Sequence, residues 1–350
     1  MTSFLKKRFL VEPTNSGLYC SLGGFYIDPH RSVDKAVITH GHTDHARPNM
    51  KSYLTSRVGS RIVKERVGKK SKVEDLPYGQ KLKIKDVIVS FHPSGHILGS
   101  SQVRIEHKGY VSVVTGDYKI SKDNSCDSFE LVKCHEFISE STFAKPFYRW
   151  PNPKEVFSKI NSWWLNNTQK DVTSVIFAYA LGKSQRVLCG LDSSIGAIGV
   201  HASVEKFNNY YREAGRPIPN TIKASINNKH MLVGNGIIIA PPSVRRSNWL
   251  NQFAPLSLSF ASGWMLDKGN VGRKKVDKGF VLSDHADWSE ILRTINYSGA
   301  SRIGLVHGNT KLLADWLRKN TQSEIYEFRM NNFKREKYDK RQMSFFKEFI

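Results

Sequence analysis

The chain has 350 residues, enough to bury a sizeable core and more than one domain usually contains. Lysine and arginine number 53 against 31 acidic residues, and the net charge of +22 favours polyanionic partners, nucleic acid first. Mean hydropathy is −0.42 and no apolar run approaches the roughly 20 residues that span a bilayer, so a membrane-spanning protein is excluded. The first residues lack the apolar stretch and cleavage site of a signal peptide, so a cytoplasmic location is expected.

The predicted elements change character along the chain. Before Pro151, short β-rich runs bounded by turn residues or charges dominate, at residues 36–39, 87–91, 101–105 and 110–114. From about Pro151 a helix is predicted over residues 155–165, followed by strands at 174–177 and 236–240 and, later, at 302–306. Alternation of strand and helix is typical of a parallel α/β unit. The pattern predicts an α/β protein whose first part is stacked sheet.

The cysteines and the C-terminal segment receive structural interpretations. Four cysteines are scattered without C-x-x-C spacing, which predicts reduced thiols rather than a zinc ribbon or a disulfide framework.

Residues 331–350 are rich in lysine and arginine but also carry four phenylalanines. A docked surface helix is favoured over a basic arm, because disordered tails are usually poor in aromatic residues.

A compact set of metal-ligand types follows the first predicted strand. His40 and His42 stand two residues apart, so an extended backbone directs both imidazoles to one side, and Asp44 and His45 follow where the chain turns. Imidazole nitrogen and carboxylate oxygen are the ligands of catalytic zinc, and carboxylates also suit manganese. Burying this much polarity without a cation would be costly. The cluster therefore predicts a metal site.

Further ligand candidates follow other predicted strands. His96 comes after strand 87–91, Asp117 after strand 110–114, and His307 after strand 302–306. The small neighbours Gly95, Gly116 and Gly308 would let the backbone approach a shared centre closely. Two divalent cations held by these groups would leave the centre positive toward an anion, which favours a phosphate substrate.

These motifs resemble those of the metallo-β-lactamase superfamily. The ordered series is Asp28, the His40–His45 cluster, His96 and Asp117, and the continuation at 139–142, 283–287 and His307 resembles the β-CASP nuclease branch. The resemblance implies a four-layer αββα fold in two parts, 1–150 and 276–350, around an inserted β-CASP α/β domain at 151–275. It also implies two divalent ions, with zinc favoured and manganese the alternative. His40, His42 and His96 would hold one ion, Asp44, His45 and His307 the other, Asp117 would bridge them, and Asp28 would orient the cradle.

An acid opposite the nucleophile should help to expel the alkoxide of a phosphodiester, and histidine is suited to this near neutral pH. His285 is the candidate. The resemblance to β-CASP nucleases pairs it with Glu140, whose carboxylate would orient the ring. The predicted catalytic set is therefore Asp44, Asp117, Glu140 and His285.

Residues 177–185 resemble a phosphate-binding turn without matching a Walker motif, because Phe177 stands where that motif needs glycine. The remaining strand-to-helix turn, with free amides, Lys183 and Ser184, is predicted to hold a nucleic-acid phosphate. The alternative is that Gly182 simply begins a helix. The corresponding β-CASP strand and turn look similar. Trp163 and Trp164 are expected in the core rather than as stacking platforms.

The substrate expectation rests on resemblance. Nearly the whole chain, including residues 17–20, 148–150, 178–183, 260–264 and 283–288, resembles the bacterial ligase-associated DNA damage response exonucleases, also called mRNA 3′-end processing factor-like. This implies a DNA exonuclease in repair, with a DNA ligase and a helicase as partners. In eukaryotic β-CASP branches, however, histidine at the last motif accompanies RNA substrates and valine accompanies DNA. In this chain the last motif has histidine, His307. DNA is therefore preferred and an RNA-processing ribonuclease is the alternative.

Two other classes stay open. The metal ligands alone would permit a small-molecule hydrolase such as a lactamase or thioesterase, which the insert, the Glu140–His285 pair and the +22 charge disfavour. A non-catalytic nucleic-acid-binding module is the other class, and the complete ligand set disfavours it. Strand polarity, endonuclease or exonuclease mode, the native metal and the oligomeric state do not follow from the sequence.

Overall fold

A computed structural model describes residues 9–267, 269–308 and 310–328. The chain divides into two compact units. Among the described residues, the first contains 9–149 and 284–328, and the second contains 150–283. The second unit is therefore inserted between two stretches of the first. The prediction of a docked helix at 331–350 lies outside the described residues.

The strands in chain order are β1 (Glu12–Thr14), β2 (Gly17–Cys20), β3 (Phe25–Ile27), β4 (Lys35–Val37), β5 (Ser52–Ser56), β6 (Val73–Leu76), β7 (Leu82–Ile84), β8 (Val87–Pro93), β9 (Ser101–His107), β10 (Tyr110–Val114), β11 (Glu136–Glu140), β12 (Thr173–Phe177), β13 (Ile198–Val200), β14 (Ile222–Lys223), β15 (Ile237–Ala240), β16 (Leu256–Ala261), β17 (Lys278–Phe280), β18 (Arg302–Val306) and β19 (Glu324–Glu327). The α-helices are α1 (Ser60–Val67), α2 (Pro153–Thr168), α3 (Lys183–Leu188), α4 (Ala202–Glu213), α5 (Gly269–Arg273), α6 (Trp288–Ser298) and α7 (Thr310–Asn320). Short 3-10 helices cover Ile226–Met231, Pro242–Arg246, Asn248–Phe253 and Gly263–Leu266.

The first unit contains two sheets. One follows chain order from β1 to β6, antiparallel between β1, β2 and β3 and parallel from β3 to β6. The other has the order β19-β18-β11-β10-β9-β8-β7, in which β10, β11, β18 and β19 run parallel and the rest antiparallel. Because β9 is antiparallel to both β8 and β10, those two strands point the same way.

Apolar side chains bury the sheets of the first unit on both faces. One cluster joins residues of both sheets, for example Ile27 and Leu54 from one and Val89 and Ile105 from the other. A second places α6 and α7 against β10, β11 and β18, and a third places α1 against β4 and β5. Each helix shows the one-sided apolar spacing that such packing requires.

The second unit is built on a parallel sheet with the order β14-β13-β15-β12-β16-β17. Its central strand β15 is entirely buried, which explains the unbroken run of Ile237, Ile238 and Ile239. Helix α2 begins at a cap in which Asn152 accepts a hydrogen bond from the Lys154 amide. Trp163 and Trp164 are buried, as predicted.

The α/β class is confirmed, and so are the predicted strands, with shifts of one or two residues at their ends. Among the described residues no disulfide joins any of the four cysteines, Cys20, Cys126, Cys134 and Cys189. Among the described residues, no helix combines the length and apolar character that crossing a bilayer would need.

Candidate metal centre

The predicted ligands meet because their strands end at one place. Strands β8, β10, β11 and β18 run in one direction within the same sheet, so their carboxyl ends share an edge. His96 follows β8, Asp117 follows β10, Glu140 ends β11 and His307 follows β18. The backbone after β4 brings His40 to this edge, since Ser101 of β9 donates from its amide to the carbonyl of Thr39.

Two glycines allow the backbone to turn where no side chain would fit. Gly116 has a φ of +57°, and an added Cβ would lie 2.7 Å from the Cβ of Thr39. Gly308 has a φ of +62°, and an added Cβ would lie 2.1 Å from the carbonyl oxygen of Ser141. Both positions therefore require glycine, because each combines a left-handed backbone with a close approach. The close approach of these two glycines to a shared centre stays a prediction, and the contacts observed are with Thr39 and Ser141.

Four donor atoms form a compact group. His40, His42, His96 and Asp117 each offer one ligand atom, and these atoms all lie within 4.8 Å of one another. The Nε2 atoms of His40 and His96 lie 3.6 and 3.7 Å from Oδ2 of Asp117. His40, His96 and Asp117 are buried, and His42 is partly exposed. The structure thus brings together four of the seven predicted ligands.

The outer ring nitrogens of these histidines have their own partners. The Nδ1 of His96 lies 2.8 Å from the carbonyl oxygen of Asp284, which can only accept, so this nitrogen carries the hydrogen. The Nδ1 of His40 lies 3.0 Å from the Thr39 hydroxyl, which in turn donates to Asp28 at 2.6 Å. In both rings the lone pair is thereby placed on Nε2, facing Asp117. Metal-binding histidines are oriented in the same way by such outer partners.

The donor chemistry of this group fits a cation. The Nδ1 of His42 lies 3.0 Å from Nε2 of His40 and 3.1 Å from Nε2 of His96. The Nε2 atoms of His40 and His96 both carry lone pairs. A hydrogen on the Nδ1 of His42 can form a hydrogen bond of good geometry with one of these two atoms at a time. Buried polar atoms are costly when unsatisfied, and one divalent cation satisfies all three nitrogens and the carboxylate together.

Burial and charge act differently on two of the histidines. Complete burial, reinforced by the imidazoles of His45 and His42, lowers the pKa of His40 well below its ordinary value, so its ring is neutral and able to bind a metal. At His45 the effect of burial is outweighed by the carboxylates of Asp117, Asp44 and Asp28, and the pKa is raised well above its ordinary value. The same negative potential would attract a divalent cation.

The other three predicted ligands are more loosely arranged. His45 is buried and its Nδ1 lies 2.7 Å from Asp28 Oδ2, which leaves Nε2 facing Asp117 at 3.5 Å. The side chain of Asp44 is 73% exposed and lies 3.7 Å from His45. His307 is exposed, and its ring centroid lies 5.7 Å from that of His45. Among the described residues, the donor groups within 4.8 Å contain none of these three, so the second set stays a prediction.

His285 and Glu140 form the predicted pair. The Nδ1 of His285 lies 2.9 Å from both carboxylate oxygens of Glu140. Burial alone would raise the pKa of Glu140, but the charge and hydrogen bond of His285 outweigh it and lower that pKa, so the carboxylate is ionised. The Nε2 of His285 lies 4.0 Å from Oδ2 of Asp117, which places the ring beside the four-donor group.

Asp117, Glu140 and His285 also lie within 4.8 Å of one another and could in principle hold an ion themselves. The oxygens of Glu140 are already engaged, however. Oε1 accepts from the Tyr118 amide at 2.9 Å, and Oε2 accepts from the Thr142 hydroxyl. These contacts favour Glu140 as the partner of His285 rather than as a ligand.

Thr39 and Thr142 are supporting residues to which sequence reasoning assigned no role. Thr39 joins His40 to Asp28, which accepts from both its amide and its hydroxyl, and Thr142 holds Glu140. Each stands beside a predicted site residue, at one residue before His40 and two after Glu140. A hydroxyl next to a ligand motif is the only signal the sequence offers for them.

The second unit contains the predicted phosphate-binding turn. The prediction of free amides there is wrong at two positions: the Gly182 amide donates to the Gln185 side chain at 2.8 Å, and the Ser184 amide donates to the Tyr179 carbonyl at 3.0 Å. Lys183 is 5% exposed and donates to the Leu282 carbonyl. Ser184 is fully buried, and its hydroxyl also donates to Tyr179. Phosphate contact by Lys183 and Ser184 stays a prediction.

The buried imidazoles and the carboxylate at the strand ends are donor types that a divalent metal ion binds, and a His–Glu pair lies beside them. No family model matches the chain. It is 30% identical over 305 residues to a probable DNA ligase of Opitutus terrae, across 87% of this chain and 30% of that protein. It is 26% identical to the transcription termination factor FttA of Methanosarcina mazei, across 48% of this chain and 32% of that protein.

The endoribonuclease YSH1 of Gibberella zeae is 31% identical, across 40% of this chain and 16% of that protein. These similarities fit the predicted resemblance of the chain to β-CASP metallo-β-lactamase proteins. The chain spans about a third or less of the length of each of these relatives. A crystal structure of a protein of unknown function from Enterococcus faecalis V583 superposes with a TM-score of 0.57 at 13% identity, covering 85% of this chain and 81% of the other, which shows a shared fold.

Replacing Asp28 by asparagine should weaken divalent-metal binding by about 10- to 100-fold, the usual effect of losing an outer-sphere carboxylate. Asparagine would present an amide donor where Thr39 and His45 both need an acceptor. Affinity would be measured by competition with a chelator for zinc, with circular dichroism to check folding. Asp34→Asn is the matched control, since Asp34 is 86% exposed and pairs with Lys51 at the surface. Equal zinc affinity of Asp28→Asn and the wild type would contradict the predicted role.

Proposed function

We propose that this chain is a metal-dependent nuclease that hydrolyses phosphodiester bonds. The observation that carries the proposal is the buried group of His40, His42, His96 and Asp117 beside the Glu140–His285 pair. The net charge of +22 and the names of the related endoribonuclease and DNA ligase support a nucleic-acid substrate. A net charge of +22 attracts a polyanion, and a small-molecule substrate does not require it.

The architecture proposed with this function is a four-layer αββα metallo-β-lactamase fold with an inserted β-CASP domain. The two packed sheets of the first unit, with α1 on one outer face and α6 and α7 on the other, support it. The parallel sheet of the second unit, at residues 150–283, supports the inserted domain. The shared fold with the Enterococcus protein is compatible with both.

The proposed cofactor is a pair of divalent ions, with zinc favoured and manganese the alternative. His40, His42, His96 and Asp117 would hold the first ion, and Asp44, His45 and His307 would hold the second. When bound, such ions supply Lewis-acid polarisation of the phosphate and activate water. The predominance of imidazole in the first site favours zinc.

His285 is the proposed general acid. Its Nδ1–H donates to Glu140, so a proton for the leaving oxygen would be carried on Nε2. The ring is 21% exposed whereas Glu140 is 1% exposed. The acid can therefore meet a substrate while its carboxylate partner stays shielded from water, where a charge-assisted hydrogen bond is strongest.

DNA is the preferred substrate, in an exonuclease of DNA repair. The segment related to this chain occupies 30% of a protein named for DNA ligation, which supports a DNA ligase as a functional partner, and a helicase is the second proposed partner. RNA cleavage is the second candidate function, and it is favoured by the endoribonuclease relative and by histidine at position 307. The ligase relative matches 87% of this chain, and this supports the proposed preference for DNA.

Side-by-side digestion of end-labelled single-stranded DNA, duplex DNA and RNA tests this proposal. With zinc or manganese, the wild-type chain should shorten DNA faster than RNA, and His42→Ala should lose both activities because one donor of the buried group is removed. Faster RNA cleavage would overturn the substrate preference. Undiminished cleavage by His42→Ala would overturn the metal-dependent mechanism, and inactive wild type would favour a binding module.

Replacing His285 by alanine should lower kcat on an oligonucleotide by about 10²- to 10⁴-fold, the usual contribution of a general acid. On a p-nitrophenyl ester of thymidine monophosphate the loss should be far smaller, because p-nitrophenolate leaves without being protonated. His92→Ala is a matched control, since His92 pairs with Glu130 at 2.8 Å in the same unit. Equal losses on the two substrates would show that His285 has another role.

A further inference from the structure

The loop after β11 presents an exposed aromatic ring between two cations. Phe147 is 59% exposed and is the most exposed phenylalanine among the described residues. Lys145 and Arg149, on either side of it in the sequence, are exposed as well. Single exposed apolar residues are common and by themselves mean little. The surroundings of Phe147 are what distinguish it.

The loop that carries Phe147 has a defined conformation. Its backbone is held by consecutive turns, in which the Ala144 amide donates to Ser141, the Lys145 amide to Phe143 and the Tyr148 amide to Lys145. The Trp288 amide at the start of α6 also donates to the carbonyl of Tyr148. Phe147 is therefore displayed by an ordered backbone, and its ring is pre-organised for a planar ligand.

A series of ring contacts leads from Phe147 to the candidate acid. The ring centroids of Phe147 and Tyr148 are 5.4 Å apart, those of Tyr148 and Phe143 are 4.8 Å apart, and those of Phe143 and His285 are 5.8 Å apart. Phe143 and Tyr148 are buried at 3% and 8% exposure, so the outer ring is supported by packed ones. Phe147 is thus connected to His285 through two packed rings, Tyr148 and Phe143.

The chemistry of this surface matches single-stranded nucleic acid. An aromatic face stacks on any base, and neighbouring cations contact the backbone phosphates. Lys145 offers an exposed ammonium group, and Arg149 keeps donors beyond the one that contacts the Ser289 hydroxyl at 3.2 Å. A protein partner with an apolar patch would gain little from an isolated ring between two positive charges.

We propose that Phe147 is a base-stacking platform that, with Lys145 and Arg149, holds a nucleotide close to the phosphodiester bond being cleaved. The inference rests on the proposed nuclease function. It assigns the loop after β11 a role in holding the unpaired end of the substrate. Stacking is independent of sequence, so the platform confers a requirement for a base without selecting which base.

The test compares an oligothymidylate with the same oligomer made of abasic tetrahydrofuran units. Phe147→Ala should lower kcat/KM and raise the dissociation constant on the oligothymidylate by roughly 5- to 100-fold, the range found when a stacking residue is truncated. On the abasic oligomer the variant and the wild type should be equal. Phe147→Trp should preserve binding of the oligothymidylate, because it keeps a stacking face.

Two variants serve as controls. Tyr297→Ala removes a ring that is 52% exposed at the C-terminal end of α6. This variant should bind and cleave both oligomers like the wild type. Lys145→Gln should weaken the binding of both oligomers to the same extent and reduce the salt dependence of binding. A phosphate contact does not depend on the base.

The outcomes separate this inference from the proposed function. Equal behaviour of Phe147→Ala and the wild type on oligothymidylate would overturn the inference while the wild-type activity upheld the nuclease. Equal losses on both oligomers would also overturn it, since they would show a structural role for the ring. A wild-type protein that cleaves no oligonucleotide would overturn the proposed function, and the inference with it.

Discussion

The centre depends on the carboxylate of Asp28, which has no direct place among the four-donor group. This carboxylate accepts hydrogen bonds from the amide and the hydroxyl of Thr39 and from the Nδ1 of His45. Through Thr39 it orients His40, and directly it orients His45, so both rings turn their Nε2 atoms toward Asp117. Without an acceptor at this point, the orientation of both rings would be lost, and nitrogens that now converge would have no common target.

Strand direction supplies the rest of the arrangement. Parallel strands of one sheet deliver Asp117, Glu140 and His307 to one edge, and glycines next to Asp117 and His307 let the chain turn at once. His285, the proposed acid, stands just before α6, where the Ala286 amide donates to the carbonyl of Tyr118. The amide of Tyr118 in turn donates to Glu140. One short loop after β10 therefore connects Asp117, the proposed metal ligand, with the proposed acid and its carboxylate partner.

The sequence predicted the strands, the α/β class and the ligands that lie in short motifs at strand ends, because periodicity and spacing are local properties. The contact between Glu140 and His285 was available only through family resemblance, since 145 residues separate them. The support by Thr39 and Thr142 was missed because a hydroxyl carries no distinctive pattern. The free amides predicted near Lys183 were wrong, because the side chain of Gln185, three residues after Gly182, supplies a local acceptor that turn residues alone do not reveal.

Anomalous diffraction at the zinc absorption edge, from crystals of the protein grown with zinc, tests the central claim most directly. The account predicts a strong peak about 2.0–2.2 Å from ligand atoms of His40, His42, His96 and Asp117. A second peak beside His45 and Asp44 would extend the site to two ions. Zinc bound only at other surface groups, with the three imidazoles still hydrogen-bonded to one another, would contradict it.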